Sequence, residues 1–176
     1  MQNNAYQSSL AWQGITAIQD RYKKIYNSLG GGFNQVLGNF SYYDTKCEFL
    51  EKIVTEEQPK KIVEIGFNCG HTAAIMLNAA SNAQLTSFEL GDRPYMIEAA
   101  SVISEHYPSF IYVVGKSQET VPAYFLSMWG SDPTPQIDFA LIDGDHTYEA
   151  VTSDLKNVAP WIKPNGIIVI DDIDVL

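Results

Sequence analysis

Positive charge is scarce in this chain. Eleven Lys and Arg stand against 21 Asp and Glu in 176 residues, a formal net charge of −10. A phosphate-binding surface needs a basic footprint, so this balance argues against nucleic acid as a partner. It argues equally against an anionic membrane surface. Cysteine is scarce too. Cys47 and Cys69 sit neither in a CxxC pair nor near a His/Cys cluster, which disfavours a zinc site or a disulfide framework and predicts reduced, packed thiols. No apolar run reaches the length of a membrane span, and the opening MQNNAYQSSLAWQG carries no basic segment leading into an apolar one. The expectation is a cytoplasmic protein that leaves membranes alone. Repeats and low-complexity tracts are also missing.

What is present suits one globular domain. Apolar residues make up 45% of the chain, with ten Tyr, eight Phe and three Trp. Such aromatics fit a ligand cleft and a well-filled core equally well. The first stretch reads as a helix with Leu10, Ile18, Tyr22 and Ile25 near helical spacing, stopped by Gly30, Gly31 and Gly32. A second helix is predicted after Asp44 as N-cap, with Cys47, Leu50, Ile53 and Val54 as its buried stripe and Pro59 as its end.

From Lys61 the pattern changes. Short apolar runs occupy Ile62–Ile65, Leu85–Phe88, Phe110–Val114, Phe139–Ile142 and Ile167–Ile170. Helical faces lie between them, one with Met96, Ala99, Ala100, Ile103 and Tyr107. Another has Val151, Leu155, Val158 and Ile162 and is closed by Pro164 and Gly166. Alternating strands and helices imply parallel βαβ units, and continuous apolar runs imply strands covered on both faces. The expected fold is α/β, a Rossmann-like doubly wound, mainly parallel sheet of about five strands. Residues 1–60 form an N-terminal helical cap and 61–176 the core.

The first strand runs into Glu64-Ile65-Gly66-Phe67-Asn68-Cys69-Gly70-His71. A loop opening a helix presents free N–H groups, and glycines let a ligand approach the backbone. The dinucleotide fingerprint asks for glycine at the first, third and sixth positions. Asn68 and His71 occupy the last two, so a nicotinamide enzyme is disfavoured. Glu89 ends the second run, 19 residues after Gly70, where a carboxylate can accept ribose hydroxyls. The plainer alternative is an ordinary strand–helix turn.

A second constellation closes the fourth and fifth runs: Asp143-Gly144-Asp145-His146, then Asp171-Asp172. If the two strands are neighbours, Asp143, Asp171 and Asp172 crowd together, which requires a cation or bound protons. Oxygen ligands suit a hard ion such as Mg²⁺. Alternatively, Asp145 caps a helix near Thr147, His146 lies on the surface, and Asp171, Asp172 and Asp174 form a solvated chain end.

Glu64-x-Gly66-x-x-x-Gly70 resembles the first motif of class I methyltransferases. Asp143-Gly144-Asp145-His146 with Asp171-Asp172 resembles the metal-dependent small-molecule O-methyltransferases, especially those acting on sugars of antibiotics. The likeness covers roughly Asp44 to Asp172 in motif order. It implies S-adenosylmethionine held by Glu64, Gly66, Phe67, Asn68, Gly70, Glu89 and Asp143, with Ser117 and Gln118 beside the adenine by position. Ser117 as a helix N-cap is the alternative there. It further implies Mg²⁺ on Asp143, Asp171 and Asp172, Asp145 as base with His146 second, and a small hydroxylated acceptor. The family's sheet has seven strands, whereas this chain stops after its fifth run. The terminal hairpin is expected to be missing and Gly166–Ile170 to be an exposed edge, which a second copy could cover. Competing functions are a cofactor-binding module or fragment without turnover, and a metal-independent N-methyl or aminopropyl transferase.

Overall fold

The five apolar runs become five strands of one parallel sheet. The computed structural model describes residues 5–28, 44–131 and 134–171. In chain order the elements are α1 (Leu10–Ser28), α2 (Asp44–Glu57), β1 (Lys61–Ile65), α3 (His71–Ala79), β2 (Gln84–Glu89), α4 (Pro94–His106), β3 (Phe110–Val114), α5 (Ser117–Trp129), β4 (Ile137–Ile142), α6 (Tyr148–Val158) and β5 (Ile162–Ile170). The strand order is β3-β2-β1-β4-β5, and every pairing is parallel. The chain winds outward from β1 to β3, returns to the centre, and winds the other way through β4 and β5. This is the order of a doubly wound sheet.

The chain divides into two compact units. One comprises Pro59–Phe67, Ala83–Gly91 and Ser109–Leu176, which hold the five strands with α5 and α6. Its core joins Val63, Ile65, Phe88, Ala140 and Ile142 of the sheet to Val121 and Phe125 of α5, Val158 of α6 and Trp161. Phe125, Trp129 and Trp161 pack ring against ring at centroid distances of 4.9 to 5.5 Å. Beside them the Lys61 ammonium lies 5.3 Å from the Trp129 ring centre. At the amino end of the sheet, Asp138 accepts the backbone N–H groups of Lys60 and Lys61 and the Lys163 ammonium at 2.7 to 3.0 Å. Partial burial pushes its pKa up, but these donors outweigh that and hold the carboxyl below the usual range.

The other unit comprises Met1–Gln58, Asn68–Asn82 and Asp92–Pro108, the helical segments α1 to α4. Tyr22 of α1 donates to Glu98 of α4 at 2.7 Å, and Arg21 pairs with the same carboxylate. Trp12 packs edge-on to His71 at 4.7 Å. The Cys69 thiol lies 3.9 Å from the carbonyl of Ile15. Both cysteines are free and buried, as expected, and burial pushes the Cys69 thiol up to about 12.

Several sequence expectations shift on inspection. In α1 the buried residues are Ala11 and Ile15, whereas Leu10 and Ile25 are exposed. Ile18 and Tyr22 of the expected stripe are half-buried and share helical spacing with Ala11 and Ile15. The stop expected at Gly30, Gly31 and Gly32 lies outside the described residues. The second helix begins at Asp44 itself, and its cap lies outside them as well. Of its expected stripe, Cys47, Leu50 and Val54 are buried and Ile53 is half-buried. Ile162 is not helical. α6 ends at Val158, a single turn over Ala159–Trp161 follows, and Ile162 opens β5. Pro164, Asn165 (φ +67°) and Gly166 form a bulge inside β5, where pairing with β4 jumps from Ile137–Ile162 to Phe139–Ile167. Beyond it, Ile167–Ile170 are half-buried and pair with β4 alone among the described residues. No described helix is long and apolar enough to cross a membrane.

Candidate functional site

The strand order reverses between β1 and β4, and ligands of open α/β sheets bind beyond the carboxyl ends at such a point. Four of the singled-out residues stand there in one row. Register pairs Ile65 with Phe88 and with Ile142, and Ile142 with Ile170. The next residue on each strand is Gly66, Glu89, Asp143 or Asp171. Backbone bonds extend the ladder to this row: Gly66 N–H to Phe88, Asp143 N–H to Ile65, and Asp171 N–H to Ile142, at 2.8 to 2.9 Å.

Gly66 is required by space as well as by conformation. Its φ is +92°, and a Cβ there would collide with the carbonyl of Asp143 and sit 2.9 Å from Gly144 Cα. Asn68 (φ +48°) and Gly70 (φ +82°) are also left-handed. Asparagine is the non-glycine residue that tolerates this conformation best, which explains how the loop does without a middle glycine. The Asn68 side chain accepts the Tyr95 hydroxyl at 3.1 Å. Gly70 forms the N-cap of α3.

Glu64 is fully buried on β1 and accepts the Ser87 hydroxyl of β2. Glu89 accepts the Phe67 N–H at 2.9 Å and the Leu90 N–H at 2.7 Å, one on each oxygen. The glycine loop thus helps to orient the carboxylate. Phe67 contributes its backbone here, because its ring is buried against Phe110 and Tyr112 of β3.

The turn after β4 holds the acidic set. His146 Nε2 lies 3.9 Å from Asp143 Oδ1. Asp145 is exposed and accepts the Thr147 N–H at 3.1 Å. Thr147, rather than Asp145, is the N-cap of α6, its hydroxyl accepting the Ala150 N–H at 3.3 Å. Asp171 is half-buried beside Asp143's strand end, and Asp172 lies outside the described residues. Among the described residues no three of His, Cys, Asp and Glu group closely enough to hold a metal ion.

Ser117 is the first residue of α5, after Lys116 as N-cap. Gln118 is exposed on the same turn. Three features escaped the sequence reading. Leu90, half exposed, follows Glu89, and Tyr148, 67% exposed, follows the acidic turn. The third is Asp154, buried on α6. Its signal was the spacing Ala150–Asp154–Val158, which sets a carboxylate on the apolar stripe.

A search of curated proteins found no matching sequence. Solved structures share the fold. TomG of Streptomyces achromogenes, an O-methyltransferase of tomaymycin synthesis solved with SAM, is 19% identical with a TM-score of 0.62 over 90% of this chain and 66% of its own. CalS11, a TDP-rhamnose 3'-O-methyltransferase of calicheamicin biosynthesis, is 16% identical with a TM-score of 0.61 over 95% and 80%. The SAH-bound methyltransferase PaMTH1 of Podospora anserina is 14% identical with a TM-score of 0.60 over 90% and 61%. The chain therefore spans about two thirds of the TomG chain and somewhat less of PaMTH1. Residues 63–173, which run from β1 through the acidic strand ends, match the methyltransferase domain model Methyltransf_24, and the chain belongs to that family.

Proposed function

We propose that this domain binds S-adenosylmethionine and transfers its methyl group to the hydroxyl oxygen of a small molecule, with Mg²⁺ assisting. The observation that carries the reading is the row of Glu89, Gly66, Asp143 and Asp171 at the sheet's switch point. The loop from Gly66 to Gly70 takes the methionine end, Glu89 takes the ribose hydroxyls, and Ser117 and Gln118 flank the adenine. The exposed Leu90 adds an apolar surface next to Glu89.

Methyl transfer from a sulfonium is an in-line displacement, and a neutral hydroxyl is a poor nucleophile. Asp145 is the base of first choice, being exposed and held by one backbone bond, and His146 is the second. Asp143 and Asp171, on paired strands with His146 near the first, are an oxygen-rich set that fits a hard divalent ion, with Asp172 as third ligand. When bound, that ion lowers the acceptor hydroxyl's pKa and fixes its oxygen. Holding oxygen and methyl aligned at about 3 Å supplies much of the rate. Within this reading, a second copy of the chain covers the edge of β5 that no described strand pairs with, and the mass in solution checks that.

The test is calorimetric titration with S-adenosylhomocysteine, in Mg²⁺ and in EDTA. Micromolar binding, about −8 kcal/mol, that is lost in Glu89→Ala is the expected result. Absence of binding in both buffers overturns the reading. Binding without turnover across a broad acceptor panel assigns a cofactor-binding module instead. Turnover that survives EDTA and Asp143→Ala removes the metal.

A further inference from the structure

Asn68 stands in the middle of the glycine loop with a left-handed φ of +48°. Asparagine tolerates that conformation but does not prefer it, and an unrestrained asparagine spends most of its time at negative φ. Its half-buried side chain is held from the start of α4. Tyr95, the second residue of that helix, donates its hydroxyl to Asn68 Oδ1 at 3.1 Å. Arg93 is the N-cap and Pro94 opens the first turn, so a preset φ fixes where Tyr95 enters the helix. Tyr95 is 1% exposed. Its ring meets the Tyr22 ring of α1 edge-on at a centroid distance of 5.6 Å. Tyr22 in turn donates to Glu98, three residues on from Tyr95, at 2.7 Å. Asn68, Tyr95, Tyr22 and Glu98 all lie in the helical unit. The donor that reaches Asn68 is therefore a buried ring braced by a second ring.

We propose that Tyr95 is a positioning residue that acts through Asn68: by holding the carboxamide it keeps the middle of the loop left-handed. A glycine at that point would reach the same turn by having no Cβ. The inference rests on reading the loop from Gly66 to Gly70 as the seat of the cofactor's methionine end. A ligand that needs one loop conformation binds in proportion to the fraction of molecules already in it. One neutral hydrogen bond shifts such a balance by about fivefold, and its loss should weaken cofactor binding by a like factor.

Tyr95→Phe removes the hydroxyl and keeps the ring, and two readouts on the whole chain test the proposal. The first is NMR of the unliganded chain. The Asn68 cross-peak between its own amide and α protons is strong for a left-handed φ and weak for a negative one. It should be strong in wild type and weaker in Tyr95→Phe. The second is calorimetric titration with S-adenosylhomocysteine at a temperature where both proteins are fully folded. Tyr95→Phe should raise Kd about fivefold, whereas a hydrogen bond that only supports the fold would lower the unfolding midpoint and leave Kd alone. In the Asn68→Gly background the turn needs no holding, and adding Tyr95→Phe should change Kd no further. An unchanged Asn68 cross-peak in Tyr95→Phe overturns the proposal. So does a wild-type Kd in that variant, or an equal rise in Kd in the Asn68→Gly background. Wild type failing to bind S-adenosylhomocysteine overturns the methyl-transfer reading instead. The cross-peak, which needs no ligand, then still decides whether Tyr95 holds Asn68.

Discussion

Gly66 in the glycine loop and His71 at the start of α3 carry opposite kinds of constraint. Gly66 is fixed by the backbone of Asp143 pressing on it. Gly66→Ala adds both a clash and a disfavoured φ, and should destabilise the chain by about 2 kcal/mol or more, read from urea unfolding. His71 is fixed by burial, which pushes its pKa down from 6.5 to about 4. The folded state therefore binds fewer protons than the unfolded one. Stability is full above pH 6.5 and falls as the pH drops toward 4, by roughly 3 kcal/mol over that window. Denaturation midpoints at pH 7 and pH 4.5 should show the loss, and His71→Phe should flatten it. The same residues show how much of the site the sequence revealed. Gly66, Glu89 and Asp143 were readable because each follows a continuous apolar run, and the end of such a run marks the sheet's rim. Asn68 read as a departure because letters do not display φ. Asp154 was missed because a charged letter on a helix suggests solvent, and only the packed neighbours show it turned inward.

The elements were legible where one rule dominated. β1 to β4 match their apolar runs to within two residues at each end. The start of β5 was hidden because Pro164, Asn165 and Gly166 carry the marks of a break, yet the strand absorbs them as a bulge. Helix α6 shows a competition between caps. Asp145 and Thr147 both qualify, and Thr147 wins because its hydroxyl faces the Ala150 N–H. Thr147→Ala should then cost about 1 kcal/mol of stability, measured by thermal unfolding. Asp145→Asn, which keeps the acceptor for the Thr147 N–H, should cost much less. A methyl-transfer assay on these two variants should rank them the other way round, with Asp145→Asn the more damaged.

At the scale of the molecule, the helical unit is assembled from three separate stretches of chain. α1 and α2 share it with α3 and α4. Trp12 meets His71, Tyr22 meets Glu98, and Ile15 meets Cys69 within it. A fragment of residues 61–176 would strip His71, Tyr95, Glu98 and Cys69 of those partners. It should unfold without a cooperative transition in calorimetry, whereas the full chain should show one. This was invisible in the sequence, where the helical start and the strand-rich remainder look like consecutive blocks. Which helices share a unit depends on long-range packing that no local pattern records.

The two native thiols have a practical consequence. Cys47 and Cys69 are 3% and 2% exposed, and Cys69 holds its proton to about 12. Thiolate is the reactive species, so a maleimide dye should pass both by while the chain is folded. A single cysteine placed at the exposed Gln118 or Tyr148 can then be tagged without first removing the others. The protein is in this sense already prepared for fluorescence, and a dye at either position can test the proposed cofactor site directly.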